Sequence, residues 1–216
     1  MDTQSIIDDI IAEIEKDRDW RVNEFYKMKS IHYDIKSNQK YNLTYLSMCI
    51  PIIYAHWEGF CTNSFRIITN HINDQKLRYN RIINSLFTYS QKTTYDYLKG
   101  KQGFQQRCKF SKQFVESLNR NHVKIDSKFN AKSNLKFKVL LEYFEIFDED
   151  ISHLKKFERD LNRLVEVRNH IVHGENSIIV NEKMIRSFIG MVTELFDKII
   201  VIFFEYLRDN KFLNAL

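Results

Sequence analysis

Apolar residues recur at helical spacing through most of this chain. From about Thr3 to Ser30 they fall at Ile6, Ile7, Ile10, Ile14, Val22, Phe25 and Met28, the three-and-four spacing of an amphipathic helix. Glu13, Lys16, Asp17 and Arg21 take the opposite, polar face at spacings that permit ion pairs. A second helix is predicted from about Leu43 to His71. Its stripe runs through Leu43, Leu46, Ile50, Ile53, Tyr54, Trp57, Cys61, Phe65 and Ile68. Pro51 lies inside it and removes one helical hydrogen bond, which predicts a kink just before Tyr54.

The pattern loosens over residues 76–134. A short helix fits within Asn80–Leu98, Gly100 and Gly103 mark a loop, and Phe110–Leu118 reads as a further helix. Val123–Phe129 alternates as a short strand or an extended loop would. Helical spacing then returns over Asn134–Phe147, with Ser133 as its N-cap, and over Ile151–His173, closed by Gly174. Asn181 is placed to cap a last helix reaching about Leu213, with Met184, Ile185, Phe188, Val192, Leu195, Ile199, Ile202, Phe203 and Tyr206 inward. These elements predict an all-α, up-and-down helical bundle. One proline, five glycines and no linker argue for a single domain over residues 1–216, with 76–134 an irregular insertion over its core.

Charge changes the picture of that insertion. Residues 76–138 hold 15 Lys and Arg against 3 Asp and Glu, a net +12, while the rest of the chain carries −7. Ten aromatic residues are interleaved there, among them Tyr79, Phe87, Tyr95, Phe104 and Phe110. Cations for phosphates and rings for bases suit single-stranded nucleic acid. The plainer reading is a solvated lysine face over an aromatic core. The three cysteines, Cys49, Cys61 and Cys108, are odd in number, lack metal spacing and read as reduced, mostly buried thiols. The acidic, amphipathic start is unlike a signal peptide, and the apolar run Ile199–Phe204 is too short to span a bilayer. A soluble, cytoplasmic protein without membrane contact is expected.

One position breaks the apolar pattern. Leu154, Phe157, Leu161, Leu164, Val165, Ile171 and Val172 form a stripe, and its next inward position after Leu164 is Arg168. A guanidinium stays charged, so a core-facing arginine is costly unless an anion or acceptor meets it. Glu58, beside the second helix's stripe, is a candidate partner; alternatively it is simply solvated. His173 follows five residues after Arg168, about 140° around an ideal helix, and long side chains at that spacing can converge. Histidine serves as acid or base near neutral pH, and arginine suits a phosphoryl transition state. Asn169 can orient either group and His170 can assist. Spacing alone leaves a bland alternative, a C-capping His173 and a structural ion pair at Arg168. No Gly-rich phosphate loop, metal-ligand spacing or Ser/Cys nucleophile setting is present in the sequence, so no metal and no cofactor is expected.

The run Arg168-Asn169-His170-Ile171-Val172-His173 resembles the motif of HEPN (higher eukaryotes and prokaryotes nucleotide-binding) domains: Arg, four residues, then His. The polar residue after the arginine is typical of the ribonuclease branch. Tyr54-Ala55-His56-Trp57-Glu58-Gly59-Phe60 and Lys132-Ser133-Asn134-Leu135 are similar to a bacterial branch found among toxin and defence genes. The likeness spans roughly residues 40–210, and 76–130 match no part of it. It implies a metal-independent endoribonuclease, a homodimer joining two motifs in one composite site, and a possible antitoxin or defence partner. Carried over, Arg168 and His173 take the catalytic roles, with Asn169, His170 and Glu58 beside them and Asn134, Lys132 and Lys136 against the RNA. The competing expectations are a non-catalytic HEPN scaffold and a duplex-DNA-binding accessory using residues 76–138.

Overall fold

The computed structural model describes residues 3–131, 134–175 and 178–214. Its helices are α1 (Thr3–Ile35), α2 (Gln39–Asp74), α3 (Asn84–Ser90), α4 (Lys92–Tyr95), α5 (Phe104–Leu118), α6 (Phe137–Ile146), α7 (Glu158–Val172) and α8 (Glu182–Arg208). The long helices α1, α2, α7 and α8 form the bundle: α2 packs on all three others, and α8 on α1 and α7. Among the described residues the β pairing is confined to an isolated antiparallel bridge, Ile82 with Leu213. The protein is an all-α bundle.

Two aromatic clusters fill the core. Phe196 of α8 meets Phe60 at 4.2 Å between ring centroids and lies near Phe25 and Trp57. Phe65 of α2 is ringed by Phe129, Tyr143, Phe144, Phe147 and Phe203. Edge-to-face and offset rings add to the stabilisation from burial alone.

Several boundaries differ from the sequence pattern, each for a local reason. Helix α1 continues to Ile35, and α2 begins at Gln39, where the Asn38 side chain accepts from the Tyr41 N–H. Helix α2 runs unbroken through Pro51. Leu43, expected inward, is 46% exposed, as is Val172 at the end of α7 to a similar degree. Arg21 is not on the polar face. It is buried between α1 and α2, paired to Asp17 at 3.0 Å and donating to the His56 carbonyl at 3.2 Å. Gly59 makes the space, because a Cβ there would lie 2.7 Å from an Arg21 nitrogen.

Helix α6 starts at Phe137, not Asn134, because two side chains of α2 hold Leu135 in a tight turn, closed by the Lys136 N–H on the Asn134 carbonyl at 2.8 Å. The Asn162 side chain of α7 accepts the Phe137 N–H at 3.0 Å. Ser133, expected as the cap, lies outside the described residues. A 3-10 turn, Ser152–Phe157, precedes α7 in place of a longer helix. Helix α8 stops at Arg208, short of Leu213. Asn210 adopts φ +51° there, and the Lys211 N–H returns to the Tyr206 carbonyl. Cys49 and Cys61 are buried, and burial pushes both thiols up; Cys108, on α5, is exposed.

Candidate active site

Helix α7 buries Leu161, Leu164, Val165 and Val167, which fixes its rotation against the bundle. Arg168 then emerges half-buried at the edge of that face. Its guanidinium carbon lies 4.8 Å from the centroid of the Tyr54 ring on α2, and its Nη1 donates to Asn169 Oδ1 at 2.9 Å. A cation over a ring face recovers about 0.5–2 kcal/mol of its desolvation cost.

Tyr54 organises the surroundings. It is buried, and burial pushes its hydroxyl pKa far up, so the hydroxyl keeps its proton; Arg168 opposes the shift and Glu58 adds to it. That hydroxyl accepts the Leu135 N–H at 2.9 Å, and the Glu58 carboxylate, one turn along α2, is close enough to act on it. Trp57 Nε1 donates to the Leu135 carbonyl at 3.0 Å. Leu135 is thus pinned through both main-chain groups, with exposed Asn134 and half-buried Lys136 on either side. Glu58 and Arg168, the expected pair, both act on Tyr54, whose ring bears the cation. Lys132 lies outside the described residues.

The end of α7 decides between the readings of His173. Gly174 adopts φ +74°, its N–H reaches the Ile171 carbonyl at 3.1 Å, and the Glu175 N–H reaches the His170 carbonyl at 2.9 Å. This is a Schellman cap, made by the main chain. The His173 ring is exposed and has no hydrogen-bond partner among the described residues, so it is not the cap's side chain. His170 is engaged differently, with its Nδ1 held close by the Glu175 carboxylate. Among the described residues no three His, Cys, Asp or Glu side chains gather as a metal site would require.

A family model for MAE_28990-like HEPN domains matches residues 10–212. The chain belongs to the HEPN family. The match takes in every helix that positions Arg168 and His173, and also the basic segment. No curated protein and no solved structure matches the chain.

In this HEPN protein the aromatics of the basic segment are mostly used in packing. Phe87 and Phe129 are buried, Phe110 stacks on Phe114, and Tyr89 stacks on Phe129. Phe104, 74% exposed, and Tyr79 are the rings open to solvent. The stacking platform suggested by the sequence is therefore largely an aromatic core. The charge differs: Asp126, Asp96 and Glu116 are taken by Lys92, Lys99 and Lys112, with Lys128 also acting on Asp126, and three carboxylates cannot offset the segment's cations. Sequence reading missed Tyr54 as the support of Arg168, Glu175 as the partner of His170, and the buried Arg21. A glycine inside α2, Gly59, was the available signal for the last. Among the described residues no helix is long and apolar enough to cross a membrane.

Proposed function

We propose that this HEPN protein is a metal-independent endoribonuclease, acting in the cytoplasm as a toxin or antiphage effector. The observation that carries this reading is the uncommitted, exposed His173 ring beyond a half-exposed Arg168 on one helix end. The 2′-oxygen attacks the adjacent phosphorus and the bond to the 5′-oxygen breaks. One histidine takes the 2′-hydroxyl proton, and another delivers a proton to the leaving 5′-oxygen. Arg168, steadied by Tyr54 and Asn169, holds the non-bridging oxygens as charge gathers on them. The products are a 2′,3′-cyclic phosphate and a 5′-hydroxyl. A homodimer supplies acid and base from two copies of His173, with His170 as an assisting group. Glu58 acts through Tyr54, and Asn134, Lys132 and Lys136 contact the RNA. A toxic nuclease needs restraint, so an antitoxin or defence partner is part of the reading.

The test is incubation of purified protein with total RNA in EDTA, beside His173→Ala and Arg168→Ala, with end-group analysis. Wild type should leave cyclic phosphate ends, and each variant should lose roughly a hundredfold or more in rate. Cleavage equal in wild type and both variants would remove the assignment. RNA left intact by all three would favour a non-catalytic HEPN module.

A further inference from the structure

A cavity of about 420 Å³ opens between the end of α1, the start of α2 and the start of α8. That size falls within the range of ligand sites, about 300–1,000 Å³. Met28, Leu46, Cys49, Ile185 and Ile189 give it buried, apolar walls. Three exposed cations, Lys29, Lys36 and Arg186, line it as well. Glu182, the carboxylate of the lining, is taken by Arg186, and neither lysine has a carboxylate partner among the described residues. Asp34, beside Tyr33 in the chain, is exposed and outside the lining.

The lip carries an aromatic ring. Tyr33 is 69% exposed, and the Lys36 ammonium lies 4.0 Å from its centroid. An open ring beside a cation offers a base its stacking partner and the adjoining phosphate its counter-charge. The walls are not plain hydrocarbon: His32 lines them, with Nε2 buried and unpartnered and Nδ1 3.8 Å from Glu182. The edge of a base, with donors and acceptors of its own, suits such a wall; an acyl chain does not. Next to the cavity, a hollow of about 350 Å³ shares Lys29, Arg186 and Ile189, so the groove continues along α1 and α8. Exposed Tyr26 lines that hollow with Lys29 5.4 Å from its centroid, which repeats the pairing of ring and cation. The two acids there, Glu194 and Asp197, are paired to Lys156 and Arg18. A site prolonged in one direction fits a strand better than a free small molecule.

We propose that this cavity seats one unpaired base of an RNA strand, with Lys29 and Lys36 on the phosphates to either side of it. The inference rests on the ribonuclease reading, which supplies the strand, and deepens it by naming unpaired RNA as the substrate. The seat is separate from the Arg168 site. Arg168 packs on Tyr54, five residues after Cys49 and therefore about 140° around α2 and about 7.5 Å along it. A base held there fixes where the strand lies, and so which bond is cut, without touching the reacting phosphate. Paired bases in a duplex stay inside the stack and cannot fill the seat.

Binding of a labelled single-stranded RNA of mixed sequence is measured by anisotropy against salt, using the full chain in a His173→Ala background. Lys29→Ala/Lys36→Ala should lower the salt slope of log K by about 1.4, at about 0.7 for each lost phosphate contact. Lys16→Ala/Lys198→Ala, which removes two exposed lysines elsewhere on α1 and α8, should leave it unchanged. Ile189→Phe fills the cavity and should weaken binding about tenfold with the slope kept, in the range of one lost stacked base. Tyr33→Ala, at the exposed lip where the core is untouched, should weaken it similarly. Binding equal in all variants would overturn the seat, as would a mononucleotide that competes as tightly as the strand. Binding that depends on these residues, in a chain whose wild type cuts no RNA, supports the seat and removes the nuclease. Cleavage by wild type with binding indifferent to them does the reverse.

Discussion

Tyr54 carries Arg168: the guanidinium lies over the ring, 4.8 Å from its centre, while the same residue's hydroxyl accepts the Leu135 N–H. One side chain therefore joins the cation to the backbone at Leu135, beside the Glu58 carboxylate. Tyr54→Phe keeps the ring and leaves the Leu135 N–H without its acceptor. It should cost about 1–3 kcal/mol in urea unfolding with a modest loss of RNA cleavage. Tyr54→Leu removes the platform and should lower cleavage about tenfold further at similar stability. Equal rates in the two variants would show that the ring does not support Arg168.

The contact of Gly59 with Arg21 predicts a coupling between α1 and α2. Gly59→Ala drives a methyl into the guanidinium, and relief by movement is limited because Arg21 is tied to Asp17 and to the His56 carbonyl. The expected loss is about 1–3 kcal/mol, in the range of overpacking. Shortening the arginine first, as Arg21→Ala, should make the same glycine change nearly neutral. A double-mutant cycle in urea measures this, and strict additivity would contradict it.

Acid should weaken the fold through two histidines. Burial lowers the pKa of His56, and Arg21 lowers it further, against opposing effects of Glu24 and Asp17. Burial likewise lowers that of His71, with Asp74 opposing. A base with a depressed folded pKa binds its proton more readily when unfolded. Stability contributed by the neutral rings is thus complete above the unfolded value, about 6.5, and falls as pH drops below it. Urea midpoints at pH 7.5 and 5.5 should show this decline. His56→Gln should make the decline shallower, and an unchanged pH dependence would place its origin elsewhere.

The bundle was legible because its signals are periodic. Stripes in α1, α2, α7 and α8 needed burial on one side only, and the capping Asn181 and the terminating Gly174 are read from residue type alone. The Arg168–His173 run stood out for a similar reason, as a charge on an apolar stripe. The start of α6 was not legible. Leu135 and Lys136 have ordinary helical neighbours, and a non-helical turn wins there because Trp57 and Tyr54, distant in sequence, bond both main-chain groups of Leu135. Arg21 was misplaced for the same reason. Its polar appearance matches its i−4 partner Asp17, and its burial depends on an absent side chain on another helix. The support of Arg168 by an aromatic ring is likewise a relation between helices, which a stripe of inward positions does not encode.

The Val123 N–H bonds the Leu77 carbonyl at 2.7 Å. The chain therefore departs from the end of α2 and comes back to the same spot. The intervening part, packed on the core through Leu86 and Phe87 of α3 and Phe114 and Leu118 of α5, hangs from a closed gate rather than a stretched span. Closing a longer or shorter loop there changes the free energy only slowly, by about 0.6 kcal/mol per doubling of length. A change of length in α4 and α5 can thus leave the bundle, and the end of it that holds Arg168, in place. The segment between Leu77 and Val123 is thus an attachment whose size is set almost independently of the bundle that bears it.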